Sequence, residues 1–134
     1  MKLVVHVDGG ARGNPGPAAA AASVTNERGD LLDEASELLG VATNNVAEYR
    51  GVLLGIARAK RLGATEVEIV NDSELVAKQL NGEYKVKHQA MIPLFTEARA
   101  ALAGFERWSI RSVRREQNER ADALVNAALD AARS

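Results

Sequence analysis

Four acidic residues fall where a folded chain tends to gather chemistry. Asp8 closes the apolar run "KLVVHVD" against two glycines, and Glu48 lies in "TNNVAEYRGV", just ahead of a helical pattern. Asp72 closes "TEVEIVND", and Asp122 sits in the first turn of "NERADALVNAALDAA". Two acids at strand ends and two at helix starts are able to converge outside the carboxyl edge of a parallel sheet, where sites in α/β proteins gather. Carboxylates at close range raise one another's pKa and cost stability, a penalty that a divalent cation removes. Oxygen donors without Cys or a His cluster suit Mg²⁺ or Mn²⁺ rather than Zn²⁺. Four acids exceed the needs of one Mg²⁺. They suit two ions about 3.5–4 Å apart, which clamp the attacking and leaving oxygens of a phosphodiester.

Each acid also has a plainer reading. Glu48 stands three residues after Asn45, as in a capping box. Asp122 favours a helix start through the macrodipole, and Asp72 could cap the helix that follows it. Asp8 is the hardest to explain this way, because it ends a buried run.

The 134 residues suffice for one domain, 1–134, with one core. Hydrophobic residues make up 46% and charged residues 26%, as in a soluble globular protein. No apolar run reaches membrane-spanning length, and the N-terminus lacks the pattern of a signal peptide. Cysteine is absent, which rules out disulfides and thiolate metal sites. A cytoplasmic protein without membrane contact is the expectation. The net charge of −1 argues against nucleic-acid binding by bulk charge. The halves differ only mildly: residues 1–72 carry 7 Lys+Arg and 10 Asp+Glu, residues 73–134 carry 10 and 8.

The elements that must position the acids follow from periodicity. Leu3 to Asp8 reads as a buried strand, and "ARGNPGPA" as a Gly/Pro turn. "AAAAASVTN" and "LLDEASELLG", linked by the turn "NERGD", complete an antiparallel meander, with the small alanines packed under something. A helix starts near Asn45 with Tyr49, Leu53, Ile56 and Leu62 on one face and stops at Gly63. A strand ends at Asn71 or Asp72. Ser73 caps a short helix with Leu75, Val76 and Leu80 inward. "QAMIPLFTEARAALAGF" is a third helix with Pro93 in its first turn, "RWSIRSV" a last strand, and "NERADALVNAALDAA" the closing helix. The order βββαβααβα calls for an α/β domain with a mixed sheet and helices on its faces.

"VDGGARGNPGPA", "TNNVAEYRGV", "VNDSELVAKQLNG" and "VRREQNERADALV" together resemble the type 1 ribonuclease H family in order and spacing, from Leu3 to about Leu129. The resemblance implies the ribonuclease H-like fold, a five-stranded mixed sheet whose second strand is antiparallel to the rest. It implies an endoribonuclease that hydrolyses the RNA strand of an RNA–DNA hybrid by two-metal-ion catalysis, leaving a 5′-phosphate and a 3′-hydroxyl. Mg²⁺ is the implied ion, with Mn²⁺ as a substitute, and the chain is expected to act as a monomer. Carried over by motif, Asp8 bridges both ions, Asp122 holds the ion that activates water, and Glu48 and Asp72 hold the ion at the leaving oxygen. Substrate contacts carried over are Gly9, Gly10, Ala11 and Asn14 on the RNA minor groove, Asn44 and Asn45 as groove amides, and Thr43 on a DNA phosphate. Gln79 faces either the groove or solvent.

Two features depart from the family's larger members. The segment "NGEYKVKHQ" is too short for their basic, tryptophan-bearing protrusion, so fewer phosphate contacts are expected. Before Asp122 there is no loop histidine; Arg114, Arg115 or Glu116 in "VRREQNERAD" could serve proton transfer and product release instead. His6 lies within the first strand and reads as a packing residue. A catalytically silent hybrid-binding module and a DNA nuclease on the same fold are the competing readings.

Overall fold

The ten residues Lys2–Ala11, six of them valine, glycine or alanine, form strand β1 at the centre of the sheet in this computed structural model, which describes residues 1–133. Strands β2 (Gly16–Asn26) and β3 (Leu31–Ala42) follow as the expected antiparallel meander. Strands β4 (Glu66–Asn71) and β5 (Arg107–Ser112) add parallel to β1 on its other side, giving the order β3-β2-β1-β4-β5. Helices α1 (Asn44–Arg61), α2 (Glu74–Leu80), α3 (Ile92–Leu102) and α4 (Glu119–Ala132) complete the chain, with a 3₁₀ turn at Arg115–Gln117. The five-stranded mixed sheet with an antiparallel second strand is therefore as expected. Among the described residues, no helix is long and apolar enough to cross a membrane.

Alternation along β1 divides its side chains between two faces. Leu3, Val5 and Val7 are fully buried in the main core with Tyr49, Val52, Ile56 and Ala59 of α1. The opposite face carries Asp8, and α4 covers the sheet there through Val125 and Leu129 against Ala19 and Ala21 of β2. The alanine run explains itself in this arrangement. Ala18 to Ala22 are buried to within 1% of complete, because helices approach β2 on both faces and leave room only for methyl groups.

Several local expectations need correction. Thr43, not Asn45, caps α1: its Oγ1 accepts from the Val46 N–H at 3.3 Å, which leaves the Asn45 side chain out of the cap. Leu75 is exposed, because the buried side of the seven-residue α2 runs through Val76, Ala77 and Leu80. β1 extends past Asp8 to Ala11, held by β2 as far as the Ala11↔Ala18 pair. α3 begins at Ile92, and Val113 lies just beyond β5. Ser73 does cap α2, accepting from the Val76 N–H at 3.2 Å.

Candidate active site

Register explains how two of the acids meet. β1 and β4 pair in parallel from Lys2↔Glu66 to His6↔Val70. Asp8 and Asp72 each lie two residues beyond that last pair, so they leave adjacent strands at the same level. Side chains two residues apart share a face, and both acids therefore project from the carboxyl edge. α1 brings Glu48 to the same point by crossing β1 at close range. A Cβ on Gly9 would stand 1.9 Å from the Ala47 carbonyl oxygen, and one on Gly51 would stand 2.5 Å from that of Asp8. Only glycine permits this approach of helix to strand.

One carboxylate oxygen from each of Asp8, Glu48 and Asp72 lies within 4.8 Å of the others. Asp122, from the first turn of α4, lines the same cleft of about 460 Å³. All four sequence-predicted acids are thus brought together, with Asp122 beside Asp8. Asp8 is only 5% exposed, and burial, with Asp72 and then Asp122 nearby, raises its pKa to about 7. Burial, reinforced by Asp8 and Asp72, pushes Glu48 up to about 9. Asp72 is raised by burial against the opposing pull of Arg115, whose Nε lies 3.9 Å from Asp72 Oδ2. Glu48 Oε2 and Asp72 Oδ2 are buried without a hydrogen-bond partner. Orphaned carboxyl oxygens of this kind, in an all-oxygen set, fit one or more hard divalent cations, which would displace the protons.

The direction of these shifts gives a stability prediction. From the ordinary carboxyl range of about 4 up to about 7 for Asp8 and about 9 for Glu48, the folded state binds more protons than the unfolded chain. Stability then falls as pH rises through that window. In chelator, the urea midpoint should decline steadily between about pH 5 and pH 9, and saturating Mg²⁺ should remove most of the slope. A flat profile in chelator would contradict the packing of these acids.

The predicted substrate residues divide. Gly9, Gly10, Ala11, Asn44 and Asn45 line the cleft, as does Arg115. Asn14 reaches α1 instead: its Oδ1 accepts from the Asn44 N–H at 3.0 Å, while the Ala11 N–H donates to Asn44 Oδ1 at 2.9 Å. The glycine-rich turn is thereby clipped to the start of α1. Thr43 serves as the α1 cap, and Glu116 is exposed outside the cleft lining. Gln79 faces neither groove nor solvent. It is 5% exposed and accepts a 2.6 Å hydrogen bond from the Tyr49 hydroxyl, because a buried phenol needs a partner.

Sequence reasoning missed three asparagines that hold the acids in place. Asn71 is fully buried; its Nδ2 donates to the Arg111 carbonyl at 3.1 Å and its Oδ1 accepts from the Ser73 N–H at 2.7 Å, which fixes the turn carrying Asp72. Asn118, 1% exposed, donates to the Val7 carbonyl at 2.8 Å and so anchors the start of α4 beside Asp8. Asn126 donates to Asp122. Their signal was the placement of an amide next to, or four residues from, an acid at an element end. Replacing Asn118 by Ala should lower stability by roughly 1–3 kcal/mol, the cost of stranding a buried carbonyl. Urea unfolding checks this; an unchanged midpoint would show that the bond is dispensable.

This mixed sheet with acids converging at its carboxyl edge defines a ribonuclease H fold with a carboxylate cleft. Residues 6–128 match the model of the reverse transcriptase-like family. The bifunctional protein Rv2228c of Mycobacterium tuberculosis is 47% identical over 133 residues, covering 98% of this chain and 36% of that protein. The solved N-terminal ribonuclease H domain of Rv2228c superposes with a TM-score of 0.95 at 45% identity, over 98% of this chain and 96% of that one. Ribonuclease HI of Halobacterium salinarum is 42% identical over 96% of this chain and 65% of its own length. LC11-RNase H1, solved in complex with an RNA/DNA hybrid, superposes with a TM-score of 0.94 at 38% identity, covering 98% of this chain and 99% of that one. The chain belongs to the reverse transcriptase-like family, among its type 1 ribonuclease H domains. It spans about a third of the length of the mycobacterial relatives.

Proposed function

We propose that this chain is a divalent-metal-dependent endoribonuclease that cuts the RNA strand of RNA–DNA hybrids, leaving a 5′-phosphate and a 3′-hydroxyl. The observation that carries the reading is the set of three carboxylates within 4.8 Å, two of them with orphaned oxygens. The relatives' names and the hybrid bound to LC11-RNase H1 support the substrate class. Residues 1–134 are read as one ribonuclease H domain that works as a monomer in the cytoplasm, a setting in keeping with the absence of cysteine.

Asp8, Glu48, Asp72 and Asp122 would hold two Mg²⁺ ions, with Mn²⁺ able to replace them. When bound, such a pair supplies a nucleophile from water and stabilises the leaving oxygen of an in-line displacement. Asp8, central among the four, would contact both ions, Glu48 and Asp72 the one on the leaving side, and Asp122 the one on the water side. Gly9, Gly10 and Ala11 present bare backbone to the cleft, where it can reach the 2′-hydroxyl that distinguishes RNA. Asn44 and Asn45 offer amides to the same groove. Asn14 contributes to hybrid binding by holding that turn. The Thr43 hydroxyl spends one acceptor on its cap and keeps its O–H to donate to a DNA phosphate. Arg115, beside Asp72 and largely exposed, is better placed than Glu116 to draw the cleaved phosphate out of the cleft.

The test is a panel of labelled RNA–DNA hybrid, duplex RNA and duplex DNA, each with Mg²⁺, Mn²⁺ or chelator. Cutting of the hybrid's RNA strand alone, abolished by chelator, is the expected result. Cleavage of duplex DNA would reject the assignment, and hybrid binding without cleavage would identify a silent binding module.

A further inference from the structure

The cleft continues past Asp122 along α4, where Arg12 of the β1–β2 turn reaches the helix. Arg12 Nη2 lies 2.7 Å from Asp130 Oδ1 and donates to Asn126 Oδ1 at 3.5 Å. Asn126 in turn donates through Nδ2 to the Asp122 carbonyl at 3.1 Å and to the Asp122 carboxylate Oδ2 at 3.4 Å. Asparagine is a poor choice for a helix interior, yet here it interrupts the run "ALVNAAL" and lines the cleft.

A side-chain amide has a donor end and an acceptor end, and rotation exchanges them. A guanidinium only donates. With Arg12 on one side, the Asn126 oxygen must turn to Arg12, and its NH₂ is left to face Asp122. The reverse orientation would set N–H against N–H and oxygen against carboxylate. Asp8, Glu48 and Asp72 bring carboxylate oxygens within 4.8 Å of one another, and Asp122 enters the same cleft beside Asp8 from the first turn of α4.

We propose that Arg12 and Asn126 are positioning residues: Arg12 sets the direction of the Asn126 amide, and that amide keeps the Asp122 carboxylate turned toward a divalent ion. The inference rests on the reading of Asp122 as an ion ligand. Hydrogen-bonded partners of metal ligands typically govern affinity by about 10–100-fold.

The experiment is calorimetric titration of the nucleic-acid-free protein with Mn²⁺, together with urea unfolding in chelator. The variants are Arg12→Ala, Arg12→Lys, Asn126→Ala, the double Arg12→Ala/Asn126→Ala, and Asp122→Asn. Arg12→Ala and Asn126→Ala should each weaken one of two Mn²⁺ sites about 10-fold. The double variant should lose no more than either single one, since both act along one path. Arg12→Lys, which keeps a donor toward Asn126, should recover most of the affinity. Asp122→Asn should weaken Mn²⁺ binding at least as much. Unchanged binding in both single variants, with Asp122→Asn weakened, overturns the positioning role alone. Unchanged binding in Asp122→Asn overturns the ligand reading and the proposal with it. Additive losses that track a fall in the chelator midpoint would reduce Arg12 to a clamp between turn and helix, and overturn the proposal as well.

Discussion

Asp8→Asn should abolish cleavage of hybrid while making the metal-free protein more stable. The acid is 5% exposed and lies among Asp72, Asp122 and Glu48, so in the proposed site it would contact both ions. Asparagine keeps the shape but removes the anion, so the site should lose its hold on the divalent ions that the proposed reaction requires. A drop on the order of 10³-fold or more is expected, which corresponds to about 4 kcal/mol of transition-state stabilisation. The same substitution relieves repulsion that the folded state carries at neutral pH. In chelator near pH 8, the urea midpoint should therefore rise, by roughly 1–3 kcal/mol in free energy. Mg²⁺ should then stabilise the wild type and leave the variant nearly unaffected. The opposite signs of the two effects separate this account from simple misfolding. Activity within a few-fold of wild type, or a lower chelator midpoint, would reject it.

Gly9→Ala should be the most damaging single methyl in the chain. Its Cβ would stand 1.9 Å from the Ala47 carbonyl oxygen and 2.5 Å from the Glu48 amide nitrogen. Both are backbone atoms of a helix whose Ala47 is fully buried, so neither yields by rotating a side chain. Relief requires α1 to move off β1, which opens the core and carries Glu48 away from Asp8. A loss of roughly 3 kcal/mol or more is expected, at the upper end for overpacking. The neighbouring glycine provides the control. At Gly10 the nearest atom to an added Cβ is Val125 Cγ1 at 3.7 Å, an ordinary contact. Gly10→Ala should keep its urea midpoint, and its cost should fall on KM for the hybrid, because Gly10 opens onto the cleft. Equal midpoints for the two variants would refute the close crossing of α1 over β1.

This pair of glycines shows how far the sequence could be read. The resemblance set both glycines of "DGG" on the RNA minor groove. Both glycines line the cleft, but Gly9 must in addition admit α1, and nothing local distinguishes the two. Glu48 posed a similar choice between cap and chemistry. Thr43 takes the cap, and the Glu48 carboxylate is left buried among acids.

What could be read along the chain was whatever repeats within a turn or a strand. Apolar periodicity and Gly/Pro punctuation placed all five strands and four helices in order, and the positions of the four acids at element ends pointed to a shared edge. Those signals are local, because a strand's alternation and a helix's stripe arise within a few residues. The β1–β4 register that brings Asp8 level with Asp72, the inward turn of Gln79 to Tyr49, and the amides of Asn71, Asn118 and Asn126 were decided by packing. Each joins residues through space, and Val7 and Asn118 are 111 positions apart. Such contacts exist only once sheet and helices have closed on one core, where most buried donors and acceptors find partners and the unpartnered oxygens of Glu48 and Asp72 mark the site.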